Sequence, residues 1–340
     1  MAAFPAPLQM KSWWHHLVLA AAILPACAPV RAAESQPLAL ETKIALGNVA
    51  GRIDHLAADP ARQRIFVAEL GNNTVGVIDI KERKVIRRIT GLKEPQGLAY
   101  HPPTDTLYVA NAGDGSVRLY QGADLAPRSQ IDLGDDADNI RIDASGSRLY
   151  VGYGKGGLAV IDPAKTAKIA DVPLEAHPEG FQLDRTGKTI FVNLPNARKI
   201  AVVDVDLGKV ALAVPTTEAR SNFPMAIDHE RQHILTVFRS PPKLMVLRSQ
   251  DGSVITSADV CGDSDDVFVD QKRRRAYVSC GDGFVDVFDM QESGYVRIAR
   301  VRTVSGARTS LWIPELDRLF VAARASATEP AAIWLFRPGP

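Results

Sequence analysis

The stretch TLYVANAGDGSVRLYQG, residues 106–122, decides the fold. Leu107, Val109, Val117 and Leu119 alternate with smaller or polar neighbours on either side of Gly113-Asp114-Gly115. A period of two marks strands, and a Gly/Asp cluster between two such runs marks a hairpin turn. No helix-period pattern follows the turn, so it is not a phosphate loop. Six further segments align with this one: RIFVAELGNNTVGVIDI (64–80), RLYVGYGKGGLAVIDP (148–163), TIFVNLPNARKIAVVDV (189–205), HILTVFRSPPKLMVLRS (233–249), RAYVSCGDGFVDVFDM (275–290) and RLFVAARASATEPAAIWLFRP (318–338).

Each hairpin is preceded by another short apolar strand, ending at Asp59, His101, Asp143, Asp184, Asp228, Asp270 and Pro314. A more variable fourth strand follows, as in KVIRRIT (84–90) and KVALAVP (209–215). Four-stranded units repeating roughly every 42 residues are propeller blades. The spacing therefore predicts an all-β, seven-bladed β-propeller of antiparallel blades. The seventh unit reaches AIWLFRP (332–338) with no fourth strand after it, while LALETKIALG (38–47) has strand character and no blade of its own. That N-terminal strand is expected to pair onto blade seven and close the ring, which removes an open sheet edge.

The segment LYVANAGDGSVRLY (107–120) resembles the YVTN-type repeat, and nearly everything after residue 38 is similar to the YncE-like, seven-bladed YVTN propellers of bacterial envelopes. Members of that group imply binding platforms or surface-layer components. Related six-bladed folds include metal-dependent lactonases, so the resemblance implies a fold more firmly than a function.

The first thirty-odd residues differ in kind. No acid precedes Glu34, and Lys11 leads into LVLAAAILPA (17–26) and then APVRAAES (28–35). A basic start, a short apolar run and a small-residue site ending at Ala32 describe a secretory signal peptide over residues 1–32. The propeller then occupies 33–340 as a single domain. An alternative reading takes Leu24 to Cys27 as a lipoprotein box with the lipid on Cys27. Either way the chain is expected outside the cytosol, periplasmic or secreted, and as a monomer.

About 46% of the residues are apolar and 23% charged, as in ordinary globular chains. Loss of Lys11 and Arg31 with the signal takes the formal charge from +1 to about −1. That balance gives no footprint for nucleic acid, and the run is too short to span a bilayer. Cys261 and Cys280 remain after cleavage. Two cysteines in an oxidising compartment predict a disulfide, here between the loop before the first strand of blade six and the end of its second strand. No C-x-x-C-H or G-x-S-x-G occurs, which argues against covalent haem and an elbow serine nucleophile.

The repeat supplies its own internal comparison. The Asp that ends the first strand in blades one, three, four, five and six recurs, so it belongs to the scaffold, where its carboxylate can accept backbone N–H bonds in a tight turn. Residues that break the repeat need another reason. Five positions earlier, at the end of each innermost strand that faces the channel mouth, stand Asp54, Gln96, Asp138, Glu179, Phe223, Asp265 and Thr309. The next residues are His55, Gly97, Asn139, Gly180, Pro224, Asp266 and Ser310, with His177 and Arg308 close by. The mouth is thus expected to be acidic, with Asp54, His55, Asp138, Asn139, His177, Glu179, Asp265, Asp266 and Arg308 as ligand-binding candidates.

Three uses fit such a ring. It could recognise a small polar ligand or a loop of an envelope protein. Alternatively, Asp54, His55, Glu179 and Asp265 could hold a divalent cation such as Ca²⁺, Mn²⁺ or Zn²⁺ for lactone or ester hydrolysis, with His55 or Glu179 as the catalytic base. Or the acids bind only water and counterions. His101, His229 and His233 fall at turns on the opposite face and are expected at the surface.

Overall fold

The computed structural model describes residues 1–9, 36–292 and 294–340. The chain divides into two units, Met1–Glu34 and Ser35–Pro340. In the first, residues 1–9 are exposed and carry no regular secondary structure. The apolar run, the cleavage site and Cys27 of the expected signal lie outside the described residues.

The second unit is a ring of seven four-stranded antiparallel sheets. Its innermost strands are Leu56–Asp59, Pro95–His101, Ala137–Ile142, Phe181–Leu183, Arg220–Asp228, Ser264–Asp270 and Ser310–Ile313, for blades 1 to 7 in order. The only helical segments among the described residues are four single 3₁₀ turns, such as Leu70–Asn72. Burial follows position within a blade. Arg64–Glu69, the second strand of blade 1, is buried throughout, whereas in the outer strand Lys84–Ile89 only Ile89 is buried. Both faces of the middle strands pack on neighbouring blades: Phe66 and Val75 of blade 1 share a core cluster with Leu98 and Val109 of blade 2. Burial on two faces explains why these strands read as nearly continuous apolar runs. The Lys- and Arg-bearing outer strands keep the rim soluble and hard to extend edge to edge.

The turn chemistry matches the sequence expectation. Asp59 accepts a hydrogen bond from the Arg62 backbone N–H at 3.1 Å, Asp143 from Ser147 at 2.8 Å and Asp184 from Lys188 at 3.0 Å. In the G-D-G hairpin Gly115 has φ +64°, and a Cβ there would meet Asp135 N at 2.2 Å. Only glycine suits both demands.

Leu38–Ala45 pairs antiparallel with Ala332–Pro338 and completes blade 7. Leu38 and Ile44 are buried, and Glu41 bridges to Arg318 at 2.5 Å. Cys261 and Cys280 form the expected disulfide, with Cα atoms 5.8 Å apart. One expectation is corrected. His101 is not a surface residue: it is buried, its Nδ1 shares a hydrogen bond with Thr104 Oγ1 at 2.7 Å, and its Nε2 donates to the Gly146 carbonyl at 2.8 Å. It stands where other blades hold the capping Asp and ties blade 2 to the turn of blade 3. His229 and His233 are half-buried.

Candidate functional site

The innermost strands bring their leading ends together at one end of the channel. There a cavity of about 400 Å³ is lined by Asp54, His55, Asp138, His177, Glu179, Asp265 and Arg308, joined by Arg52, Gln96, Asp136, Asn196, Phe223 and Arg239. Asn139 and Asp266 lie deeper, around a void of about 20 Å³ shared with His55, Glu179 and Asp265. That void has room for roughly one water. All nine ligand-binding candidates therefore line this end of the channel or the void beneath it.

The acids of the mouth are together as expected, and two of them, Asp54 and Asp265, are paired with guanidiniums. Asp265 sits between two guanidiniums, 2.6 Å from Arg239 Nη2 and 2.8 Å from Arg308 Nε. Arg308 also reaches Asp263 at 2.9 Å, and Arg52 pairs with Asp54 at 2.8 Å. Arg239 sits over the Phe223 ring, its Cζ 3.7 Å from the ring centroid. That contact and the ion pairs to Asp265 and, at 3.5 Å, Asp263 hold its planar head. Five basic side chains, Arg52, His55, His177, Arg239 and Arg308, and five acidic ones, Asp54, Asp136, Asp138, Glu179 and Asp265, line the cavity.

Arg239 escaped the sequence reading because it comes from the end of the second strand of blade 5, His233–Ser240, and not from an innermost strand. A signal was present. FRSPPK (238–243) carries Arg and a proline pair where most other hairpins carry Gly or Asn, a departure from the repeat of the same kind as His55.

The imidazoles are held as cations. Burial works against a charged His55, but Asp266 at 3.6 Å, Asp54 at 3.6 Å and Asp138 nearby lift it to about 10. His177 shows the same contest: burial opposes the charge, while Asp138, the Gly154 carbonyl and Asp136 raise it to about 9. Its Nδ1 donates to that carbonyl at 2.5 Å. Burial, with Asp138 and Asp265 adding repulsion, pushes Glu179 up to about 8 against the pull of His177 and Arg239. At neutral pH Glu179 is therefore mainly a neutral acid, able to donate as well as accept. Burial likewise raises Asp265, to about 6, although Arg308 and Arg239 draw it down.

Asp54, His55, Glu179 and Asp265 do not fit the divalent cation considered for them. Among the described residues no three His, Cys, Asp or Glu side chains stand in an arrangement that would hold a metal ion. The physical reason is visible in the pairing: the Asp54 and Asp265 carboxylates are already neutralised by guanidiniums, and a metal would have to displace them.

The glycines beside the site have a packing role. A Cβ on Gly97 would fall 2.0 Å from the Asp138 carbonyl oxygen, and one on Gly180 would fall 2.4 Å from that of Phe223. Neighbouring innermost strands touch at this register, which draws the mouth together.

No protein-family model matches the chain, and no curated protein matches it. Among solved structures it is similar to Kuenenia stuttgartiensis hydrazine synthase, with 18% sequence identity and a TM-score of 0.72 over 81% of this chain and 94% of that one. At that identity the likeness shows the propeller fold alone.

Proposed function

We propose that the chain is a propeller-type binding protein whose channel mouth holds a small polar ligand carrying both positive and negative groups. The observation that carries this reading is the clamp of Asp265 between Arg239 and Arg308, with Arg239 over the Phe223 ring at the wall of a 400 Å³ cavity. Side chains fixed before a ligand arrives lose little freedom on binding, which is what a recognition site requires. A mixed-charge lining selects against apolar molecules and single ions. The same surface could receive a charged loop of an envelope protein, and the YVTN-like repeat supports a platform role. The disulfide supports an oxidising, extracytoplasmic compartment. No helix among the described residues is long and apolar enough to cross a membrane.

Metal-dependent lactone or ester hydrolysis has less support, because two of its four ligands, Asp54 and Asp265, are already paired with guanidiniums. Native mass spectrometry of the protein purified without chelator from an exporting host separates the readings. A bound organic molecule that disappears in an Arg308→Ala variant is the expected result. A stoichiometric metal that disappears in a His55→Ala, Glu179→Ala variant would overturn the proposal in favour of hydrolysis.

A further inference from the structure

Below the mouth, the channel is crossed by a polar septum. His55 lies between Asp54 and Asp266, and Asp266 is held in turn by the Ser310 backbone N–H at 2.8 Å. On the far side of that septum a second cavity of about 410 Å³ opens, again lined by His55 and Asp266 but otherwise mostly apolar. Ala58, Ile142, Phe268 and Leu311 contribute to its wall, and each keeps part of its surface uncovered by protein. Arg141 and Gln182 stand at its polar end.

Arg141 is the anomaly of the channel. It occupies the register that holds Ala57, Ala99, Gln182, Ala226, Phe268 and Trp312 in the other blades. Arg52, Arg239 and Arg308 each have a carboxylate within 3 Å. Arg141 has none within 4 Å among the described residues; its single hydrogen bond runs from Nη1 to the Ile140 carbonyl at 2.8 Å. A guanidinium carries five N–H donors, so most of this one remains to be used. Its Cζ lies over the Phe181 ring, 5.6 Å from the centroid, and burial lowers its proton affinity, the direction expected of a cation without a carboxylate partner, even with Asp266 and Asp138 in the vicinity. Counting the charged groups that line the cavity, His55 and Arg141 against Asp266, the excess is one positive charge.

We propose that this lower chamber is a second binding site, separate from the mouth, for a monoanion with an apolar tail: its carboxylate pairs with Arg141 and its tail lies along Ala58, Ile142, Phe268 and Leu311. A planar carboxylate matches the guanidinium fork in two parallel hydrogen bonds. The volume is in the range of small-molecule sites. A simple inorganic anion would satisfy Arg141 but leave the apolar wall wet, and a neutral apolar molecule would leave the guanidinium unpaired in a desolvated place.

The test is calorimetric titration of the intact protein with hexanoate, octanoate and decanoate, with octanamide as the uncharged control. Affinity should rise about fourfold per added CH₂ in the wild-type protein. Octanamide should bind at least tenfold more weakly than octanoate, and Arg141→Gln should weaken octanoate by a similar factor. Arg308→Ala, in the mouth, should leave it within twofold. Loss of octanoate binding in Arg308→Ala with retention in Arg141→Gln would place the ligand in the mouth and overturn the assignment. An absent or chain-length-independent response of the wild-type protein would also overturn it, and this arm does not depend on any variant folding. Because Arg308→Ala is silent for one site and damaging for the other, the two proposals fail separately.

Discussion

Replacing Ile44 or Leu38 by alanine tests how the ring is held shut. Both belong to the N-terminal strand, Leu38–Ala45, and both are buried at 0–1% exposure, but in different core clusters. Ile44 packs in the cluster containing Ile65, Phe320 and Ile333, and Leu38 in that containing Tyr277, Trp334 and Phe336. Truncating a fully buried Leu or Ile to Ala costs about 2–5 kcal/mol, through lost transfer energy and the cavity left behind. Six residues of strand separate the two sites by roughly 20 Å, so the effects should add to about 4–10 kcal/mol in the double variant. Leu40, on the same strand but 45% exposed, is the internal control: Leu40→Ala should stay within about 0.5 kcal/mol of the wild-type protein. Chemical unfolding midpoints under non-reducing conditions give the comparison. If Leu38→Ala and Ile44→Ala unfold with Leu40→Ala, blade 7 closes without this strand and the reasoning fails.

Other outcomes follow from the same physics. The Cys261–Cys280 link closes a 19-residue separation, so a Cys261→Ser, Cys280→Ser variant should lose about 3 kcal/mol, and thiol titration of the unfolded wild-type protein should find no free pair. Gly97→Ala should cost about 1–3 kcal/mol in unfolding experiments, since its Cβ would collide with the Asp138 carbonyl; a neutral result would mean that the inner strands are not in contact there. Stability should fall as pH rises from 6.5 to 9. His55, raised to about 10, and His177, raised to about 9, bind protons in the fold that the unfolded chain releases near 6.5, and Glu179, raised to about 8, acts in the same direction up to that pH. Each proton held only by the folded state lowers stability by about 1.4 kcal/mol per pH unit in its window. A flat or rising profile of unfolding midpoint against pH would contradict the charged septum.

The architecture was legible because a repeat states it seven times: alternation gave the strands, G-D-G and its variants the hairpins, and the unmatched strand at 38–47 the closure. The disulfide was legible because antiparallel pairing of Ser264–Asp270 with Arg275–Cys280 brings Cys280 level with Ser264, near Cys261. Asp54, Asp138, Glu179 and Asp265 could be found by counting register, since departures from a repeat are visible against it. The charge balance could not. Arg239 arrives from another strand, and its partner Asp265 lies in the next blade, so the pair depends on blade-to-blade geometry that no single register contains. Arg141 was within reach of the same counting, two positions past Asn139, but its meaning depends on the absence of a nearby carboxylate, which is a property of three dimensions. His101 shows the converse: it replaces a capping Asp in sequence, keeps a contact within its own turn through Thr104, and adds a bond to Gly146 across blades.

The most direct test of the mouth as a recognition site is a thermal-shift screen of amino acids, amino sugars and small dicarboxylates, run in parallel on the wild-type protein and Arg308→Ala. A compound that stabilises the wild-type protein saturably, with affinity at least about tenfold weaker in Arg308→Ala as expected for loss of a charge-assisted hydrogen bond, is the predicted result. Equal shifts in both proteins for every compound that binds would place recognition elsewhere and contradict the account.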